Sequence, residues 1–130
     1  MKSGTVVAIL PCNDLDASEH FYARLGFTRI EGRVLEEFDT YRILSNGHGR
    51  LHLTAAVKGW LIRGRNPFSL YFYMEDVDAW AAAFRGEIVG DGPEDKPWGT
   101  YEFAMSDPDE TLVRVGWPSH LRRSAPVGSD

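Results

Sequence analysis

The segment DLDASEHFYARLGF, residues 14–27, is echoed 62 positions later by DVDAWAAAFRGEI, which begins at Asp76. In the first segment Ala17, Phe21 and Leu25 recur every four residues, which is typical of the apolar face of a helix. Runs rich in branched and aromatic residues, TVVAIL and SLYFYM, precede the two segments. The repeat therefore predicts two modules, each of which starts with a strand followed by a helix.

The ends of the first helix carry capping signals. Asp16 is predicted as the N-cap, and Glu19, three residues later, completes a capping box. Gly26 stands where a left-handed residue commonly ends a helix. We therefore expect the helix to begin at Asp16 and to end before Gly26.

Strand pairs follow each predicted helix. In the first module TYRILS and RLHLTA flank Asn46-Gly47, a strong hairpin signal. In the second module TYEFAMS and TLVRVGW flank the turn DPDE, in which Pro108 suits the first corner. The order strand, helix, strands thus occurs twice, and we expect an α+β fold.

The same boundaries divide the chain, which we expect to form a single domain over residues 1–130. Module 1 is predicted at about 4–57, module 2 at about 67–118, and a flexible tail at 119–130. The segment VKGWLIRGRNP between the modules contains two glycines and a proline and is predicted to be a linker.

Composition limits the class of protein. The chain has 130 residues, of which 43% are hydrophobic, so one compact domain can bury a core. A formal net charge of -5 argues against binding to nucleic acid. The apolar run near the N-terminus is too short for a signal sequence or a membrane span, and the single Cys12 cannot form an intramolecular disulfide. We expect a cytoplasmic protein with no nucleic-acid partner and no membrane contact.

The repeat also predicts where a ligand binds. Each module has one helix, which can cover one face of its sheet and leaves the other face open. Two open faces make a cup, lined by alternate residues of the strands. Cavities with a few convergent polar groups are typical sites for small molecules.

Three segments carry a family resemblance: LPCNDLDASEHFYARLGF at 10–27, MEDVDAW at 74–80 and EDKPWGTYEFAMSDPDETLVRVGW at 94–117. They resemble the vicinal oxygen chelate superfamily of glyoxalase-like proteins, and most of all its bleomycin-resistance branch. The resemblance implies paired βαβββ modules in a cupped mixed sheet, and a homodimer whose two ligand crevices are built by both subunits. Exchange of the first strand between subunits, as in some relatives, stays open. The glycine that often follows DPD is Glu110 here, a departure that affects the turn.

Enzymes of this superfamily bind a divalent metal through one side chain from the first strand and one from the last strand of each module. The corresponding positions here are Val7, His52, Ser69 and Arg114. Valine has no donor atom, a serine hydroxyl is a weak neutral ligand, and a guanidinium repels a cation. The set predicts a protein with no bound metal, no cofactor and no catalytic residue.

Trp98 lies in the motif PWG, which is characteristic of the bleomycin-resistance branch. The resemblance implies that this tryptophan stacks on the planar bithiazole of the ligand, with a phenylalanine from the other subunit on the opposite ring face. Phe38 is the candidate for that phenylalanine, and which subunit supplies Phe38 stays open. Offset stacking contributes about 0.5–1.5 kcal/mol per aromatic pair beyond the burial of area. Carboxylates beside the two aromatics are predicted to form an acidic rim that attracts a cationic ligand tail. This rim consists of Glu36, Glu37, Asp39, Glu94 and Asp95.

Further residues are predicted to line the cup beside Trp98 and Phe38. They are Gly99, Tyr41, Tyr101, Phe103, His52, Ser69 and Arg114. An error of one residue in strand register turns an aromatic side chain to the helix side. If Arg114 is buried, it needs an acidic partner such as Glu102 or an anionic group on the ligand.

We therefore expect a non-enzymatic protein that sequesters bleomycin-type glycopeptides and so confers antibiotic resistance. One alternative is a lyase or dioxygenase of the same superfamily that acts on a small metabolite, with His52 as a base or a lone metal ligand. Another is a binder of a different small planar ligand. Turnover of a metabolite separates the enzyme from the two binding proteins.

Overall fold

The computed structural model describes residues 1–30 and 39–122. Contacts within the chain divide it into two compact units. Unit 1 comprises Met1–Phe68 and Asp107–Glu110, and unit 2 comprises Ser69–Ser106 and the residues from Thr111 onward. The turn at 107–110 therefore belongs with the first unit, although its flanking strands belong to the second.

Unit 1 is a four-stranded mixed sheet with one helix. Its elements are β1 (Ala8–Cys12), α1 (Leu15–Ala23), β2 (Thr28–Arg29), β3 (Tyr41–Ser45) and β4 (Arg50–Ala55). The strand order is β1-β4-β3-β2, with β1 parallel to β4 and the other neighbours antiparallel. The predicted hairpin at Asn46-Gly47 is confirmed as the connection between β3 and β4.

Side chains alternate between the two faces of the first sheet. On β4, Leu51 and Leu53 are buried, whereas His52 between them is half-buried. Helix α1 contacts β4 and contributes the buried Phe21 and Tyr22. Because successive strand residues point to opposite sides, His52 lies on the distal face of unit 1, meaning the side of its sheet away from α1.

The start of α1 differs from the prediction. Asp14, not Asp16, is the N-cap, and its Oδ1 accepts a hydrogen bond from the backbone N–H of Ala17 at 3.1 Å. The carboxylates of Asp16 and Glu19 each lie 2.8 Å from the guanidinium of the buried Arg42. That buried cation explains why Asp16 and Glu19 do not form a capping box.

Polar contacts hold two connecting segments on unit 1. The Tyr22 hydroxyl donates to Asp107 Oδ2 at 2.7 Å, which secures the turn at 107–110. The Asn13 amide donates to the carbonyl of Leu61 at 2.9 Å, which secures the segment predicted to be a linker. Glu110 adopts a φ of 63°, in the left-handed region that glycine favours.

Unit 2 repeats the architecture with its own four-stranded mixed sheet. Its elements are β5 (Ser69–Tyr73), α2 (Val77–Ala83), a 3-10 turn (Arg85–Glu87), β6 (Ile88–Asp95), β7 (Thr100–Ser106), β8 (Leu112–Pro118) and a 3-10 turn (Ser119–Leu121). The strand order is β5-β8-β7-β6, with β5 parallel to β8 and the other neighbours antiparallel. The last 3-10 turn lies within the segment predicted to be a flexible tail.

The second sheet also has two distinct faces. Phe103 and Val115 are paired across β7 and β8 and are 2% and 0% exposed, on the side where α2 packs. The neighbouring Glu102 and Arg114 point the other way. They lie on the distal face of unit 2, meaning the side of its sheet away from α2.

Strand β6 is the element that the sequence pattern does not reveal. Residues 90–95 have no apolar period in the sequence, yet they belong to β6. Gly90 and Gly92 have positive φ values, and the register with β7 shifts between Val89 and Glu94. A β-bulge of this kind interrupts the alternation by which a strand is recognised in sequence.

Both units thus have the element order βαβββ, which confirms the predicted α+β fold class. The described residues form two four-stranded mixed sheets, one in each unit. Helix α1, the longer of the two α-helices described, has nine residues. Over the ranges 1–30 and 39–122, no helix is long and apolar enough to cross a membrane.

Candidate ligand-binding site

The distal face of unit 2 carries a cluster of polar and aromatic side chains around one carboxylate. Glu102 is 2% exposed, and its Oε1 accepts hydrogen bonds from three different donors. These are the Thr100 hydroxyl at 2.6 Å, the Trp98 indole N–H at 3.0 Å and the Tyr71 hydroxyl at 3.1 Å. The other oxygen, Oε2, lies 3.5 Å from Nε of Arg114. We call Trp98, Tyr71, Thr100, Glu102 and Arg114 the Glu102 cluster.

The charge of Glu102 is stabilised by its neighbours. Burial raises the pKa of this carboxyl, but hydrogen bonds from Thr100, Trp98 and Tyr71 lower it by more. The positive charge of Arg114 acts in the same direction. The net result is a pKa below the ordinary value of 4.5, so Glu102 is ionised at neutral pH and holds its donors by charge-assisted hydrogen bonds.

Gly116 gives Tyr71 the space to reach Glu102. Gly116 is the cross-strand partner of Glu102 on β8. A Cβ at Gly116 would overlap the Tyr71 hydroxyl and would lie 2.8 Å from Cβ of Glu102. Any larger residue at this position therefore displaces the tyrosine from the carboxylate.

Trp98 lies in the turn that joins β6 to β7. The backbone N–H of Gly99 donates to the carbonyl of Lys96 at 2.9 Å, and Gly99 has a φ of 95°, which favours glycine. The hydrogen bond to Glu102 fixes the indole by its N–H edge, yet the residue remains 64% exposed. The side chain is thus an anchored aromatic ring with much of its surface free for stacking.

Arg114 and Ser69 also lie on the distal face of unit 2. Arg114 is opposite Tyr71 in the parallel pairing of β5 with β8, and Ser69 is two residues before Tyr71 on β5. The side chain of Arg114 is 43% exposed, so its guanidinium meets both Glu102 and solvent. The structure therefore joins Trp98 and Arg114 through Glu102, with Gly99 next to Trp98 in the turn, whereas Ser69 pairs with Leu112, four residues along β8 from the partner of Glu102.

The distal face of unit 1 brings together two other predicted residues. The Tyr41 hydroxyl and His52 Nδ1 are 2.5 Å apart, and the two rings meet edge to face with centroids separated by 5.3 Å. Ile9 lies beside His52 on β1 and is 55% exposed. This face therefore offers apolar surface with one neutral polar pair.

Tyr101 and Phe103 occupy the opposite side of the second sheet, which corrects the prediction that they line the cup with Trp98. Phe103 is 2% exposed and packs in the core, opposite Val115. The Tyr101 hydroxyl donates to Asp78 of α2 at 2.5 Å. The reason is the alternation of β7: because Glu102 points to the distal face, its two neighbours must point toward α2.

A concavity lies on the α2 side of unit 2, away from the Glu102 cluster. It has a volume of about 630 Å³, and its lining includes Tyr101, Trp117, Asp78 and Arg122. The guanidinium carbon of Arg122 stands 3.4 Å from the centroid of the Tyr101 ring, while its Nη2 lies 3.7 Å from Asp78 Oδ2. This space is therefore already occupied in part by a cation of the chain itself.

The acidic rim is largely engaged in pairs where it is described. Asp39 binds Arg42 at 2.6 Å, Glu94 binds Lys96 at 2.5 Å, and Asp95 accepts a hydrogen bond from Ser119 at 2.7 Å. Asp95 is moreover opposite Tyr101 and so belongs to the α2 side. Glu36, Glu37 and Phe38 lie outside the described residues, and their place beside the ligand stays a prediction.

The donor set inspected for a metal does not fit a divalent cation. The four positions hold Val7, His52, Ser69 and Arg114, and the only imidazole among them is hydrogen-bonded to Tyr41. Among the residues that the structure describes, no group of three or more His, Cys, Asp or Glu side chains is arranged to hold a metal ion. No chemical step is therefore derived through a metal.

Sequence reasoning missed most of the Glu102 cluster. It named Glu102 only as a partner of Arg114, and it did not single out Tyr71, Thr100 or Gly116. A signal was present: Thr100 and Glu102 alternate along β7, and a glycine in VRVGW leaves room opposite. That signal is readable only once the β7–β8 register is known.

Paired βαβββ units, each with one sheet face away from its helix, define a glyoxalase-like protein. The chain belongs to the Glyoxalase/Bleomycin resistance protein/Dioxygenase superfamily, whose family model matches residues 4–115. No curated protein matches the sequence significantly.

Solved structures similar to this chain include two proteins connected with bleomycin. One is a bleomycin resistance determinant encoded on the transposon Tn5, with 25% identity, a TM-score of 0.70, and coverage of 89% of this chain and 98% of that one. Another is a bleomycin-binding protein complexed with bleomycin, with 26% identity, a TM-score of 0.69, and coverage of 88% and 98%. A lactoylglutathione lyase from Agrobacterium tumefaciens shares the fold at 23% identity, with a TM-score of 0.67 and coverage of 93% and 98%.

Proposed function

We propose that the protein is a metal-free binding protein that sequesters a flat antibiotic of the bleomycin type, without a catalytic step. The observation that carries this proposal is Trp98: its indole is anchored to Glu102 at 3.0 Å and yet is 64% exposed. An exposed aromatic ring held in one orientation loses little conformational freedom when a planar group stacks on it. The likeness to the bleomycin resistance determinant and to the bleomycin-binding protein supports the choice of ligand.

Sequestration needs no metal and no general acid or base from the protein. The donor set does not suit a divalent ion, and the buried Glu102 already accepts three hydrogen bonds on one oxygen. A carboxylate held in this way is a structural acceptor that fixes the stacking platform. The cluster is thus suited to holding a ligand in place.

The test is isothermal titration of the protein with metal-free and metal-loaded bleomycin and phleomycin. We expect Trp98→Ala to weaken binding by on the order of 2 kcal/mol, the loss typical of a central aromatic anchor. Trp60→Ala is the matched control, because Trp60 is 82% exposed but belongs to unit 1. Absence of binding by the wild type, or equal losses in the two variants, contradicts the proposal.

The proposed assembly is a homodimer that acts in the cytoplasm and whose subunits share two ligand crevices. Its support is the family membership together with large apolar side chains exposed in unit 1, such as Ile9 and Val57 at 55% and 60%. Light scattering coupled to size-exclusion chromatography measures the mass in solution. A mass of one chain at micromolar concentration contradicts the dimer.

A second candidate function is an enzyme of the same superfamily that acts on a small metabolite. The observation in its favour is the 2.5 Å contact between the Tyr41 hydroxyl and His52 Nδ1, which can position an imidazole as a base. Assays with glutathione-conjugated aldehydes and with catechols, with and without added divalent metals, test it. Turnover that is abolished by His52→Gln supports the enzyme, whereas absence of turnover supports sequestration.

A further inference from the structure

We propose that the distal face of unit 2 binds a flat ligand that carries an anionic group, and that the guanidinium of Arg114 receives this group while Trp98 stacks on the ring. The inference rests on the proposed stacking of a flat ligand on Trp98 and changes the charge expected of that ligand. It replaces the expected cationic ligand tail with an anionic group at this place.

The first argument is the position of Arg114 between a buried carboxylate and solvent. Its Nε lies 3.5 Å from Oε2 of Glu102, and the two side chains are 43% and 2% exposed. A guanidinium has five N–H donors in a planar fork, and one edge can bind one carboxylate while the other edge binds a second acceptor. For Arg114, Glu102 is the one ionic partner within 4.0 Å in the described part of the chain.

The second argument is that Glu102 is closed to a ligand cation. Its Oε1 already accepts three hydrogen bonds, and its residue exposure is 2%. The charge that a ligand meets at the surface of this cluster is therefore the positive charge of Arg114. A ligand ammonium group placed there meets like-charge repulsion, whereas a carboxylate forms a charge-assisted hydrogen bond.

Third, the two carboxylates that precede Trp98 in the chain, Glu94 and Asp95, do not create a cation-binding site beside the indole. Glu94 pairs with Lys96 at 2.5 Å, and Asp95 accepts a hydrogen bond from Ser119 at 2.7 Å. The charge of Glu94 is thus compensated by Lys96, and Asp95, opposite Tyr101, lies on the α2 side of the sheet, away from the Glu102 cluster. The acidic rim accordingly offers less attraction for a cation than its sequence suggests.

The fourth argument is that one carboxylate orients both recognition groups. Trp98 binds Oε1 of Glu102 at 3.0 Å and Nε of Arg114 lies 3.5 Å from Oε2, so a single carboxylate bridges the indole and the guanidinium. A ring stacked on Trp98 can therefore extend a short substituent to Arg114.

The experiment uses three probes that share one flat ring system: 2-naphthoate, 2-naphthamide and 2-(aminomethyl)naphthalene. Dissociation constants are measured at pH 7 by titration calorimetry or ligand-observed NMR. We expect the wild type to bind the naphthoate about tenfold more tightly than the aminomethyl compound, with the amide between them, because opposite charges attract and like charges repel.

Variants separate the role of Arg114 from that of the stacking ring. Arg114→Gln is expected to abolish the preference for the carboxylate, and Arg114→Lys to retain part of it, since lysine keeps the charge but lacks the fork. Arg63→Gln is the matched control and retains the full preference, because Arg63 is paired with Glu110 in unit 1. Thermal unfolding of each variant checks that it is folded, and Arg114→Lys keeps the test valid if the glutamine variant does not fold.

The outcomes distinguish this inference from the proposed function. Equal affinity for the three probes, with binding that still depends on Trp98, overturns the anionic ligand and leaves the binding function intact. A preference for the carboxylate that persists in Arg114→Gln overturns the role of Arg114. Failure of the wild type to bind any probe at millimolar concentration, or binding unaffected by Trp98→Ala, overturns this inference, whereas the proposed function is overturned only if bleomycin and phleomycin also fail to bind.

Discussion

The two units place different chemistry at corresponding positions of their distal faces. In unit 1 the first residue of the pair is Tyr41 on β3, which contacts His52 on β4 at 2.5 Å. In unit 2 the corresponding residues are Glu102 on β7 and Arg114 on β8, at 3.5 Å. Each pair joins neighbouring antiparallel strands on a diagonal, two residues away from the direct partner. The two units therefore place these pairs in the same geometry, but only the pair in unit 2, Glu102 and Arg114, is an ion pair.

On the sheet faces that pack against the helices, the charged residue is found in unit 1 and the apolar residue in unit 2. Arg42 follows Tyr41 on the α1 side and is buried among Asp16, Glu19 and Asp39. Phe103 follows Glu102 on the α2 side and is buried among apolar residues. Unit 1 thus has its buried charge on the helix side, and unit 2 has its buried charge on the distal face. In unit 2, therefore, the buried charge of Glu102 lies next to the candidate ligand-binding surface.

The largest expected effect tests the assignment of the two faces of the second sheet. Phe103→Ala should lower the free energy of unfolding by about 3–5 kcal/mol, because it removes a fully buried aromatic ring and leaves a cavity. Tyr73→Ala is the matched control on the distal face, since Tyr73 is 63% exposed and should cost much less. Urea denaturation measures both values. Similar losses in the two variants would mean that the faces are assigned incorrectly.

The next prediction concerns a substitution that disrupts the Glu102 cluster by steric overlap. Gly116→Ala should lower the free energy of unfolding by about 2–3 kcal/mol, because the new Cβ overlaps Tyr71 and approaches Cβ of Glu102 to 2.8 Å. At the corresponding position of unit 1, Thr54→Ala should have a small effect, since that residue already carries a Cβ. Urea denaturation compares the pair, and a neutral Gly116→Ala refutes the tight approach of Tyr71.

The two diagonal pairs can be compared directly by conservative changes. Glu102→Gln should cost about 1.5–2 kcal/mol at pH 7, because it weakens hydrogen bonds to a buried charge. Tyr41→Phe should cost only about 0.5–1 kcal/mol, because it removes one hydrogen bond at a partly exposed site. Denaturant titration of both variants measures the difference. Equal costs would show that charge adds nothing to the pair in unit 2.

The pH dependence of the free energy of unfolding also distinguishes Glu102→Gln from Tyr41→Phe. Because the pKa of Glu102 is lower in the folded protein than its ordinary value of 4.5, its ionised form stabilises the fold above that value. This contribution is lost as the pH falls through the lowered pKa. The stability difference between the wild type and Glu102→Gln should therefore shrink as the pH falls below 4.5. For Tyr41→Phe the difference should not follow this loss, because that substitution leaves Glu102 and its hydrogen bonds unchanged.

The smallest effect concerns the turn at 107–110. Glu110 has a φ of 63°, so Glu110→Gly should raise the free energy of unfolding by about 0.5–1 kcal/mol through relief of left-handed strain. Loss of the exposed ion pair with Arg63 offsets little of this gain. Glu110→Ala is the control, because it removes the ion pair and keeps the strain. A glycine variant no more stable than the alanine variant contradicts this account.

Several features of the fold were predictable from local patterns. The helical repeat at residues 14–27 and 76–88 identified α1 and α2, and Asn46-Gly47 identified the first hairpin. The start of α1 was not predictable from the capping pattern alone, because the buried Arg42 engages Asp16 and Glu19. Strand β6 escaped prediction because its bulge and glycines remove the alternation.

For the candidate site, the sequence by itself determined which residue types are available: an indole in PWG, one carboxylate on β7, an arginine on β8 and a poor set of metal donors. Only the tertiary structure decided which of them meet. The β7–β8 register sends Glu102 and Arg114 to one side and Phe103 and Tyr101 to the other. The physical reason is that a strand alternates its side chains every residue, so a shift of one position exchanges the core with the ligand surface.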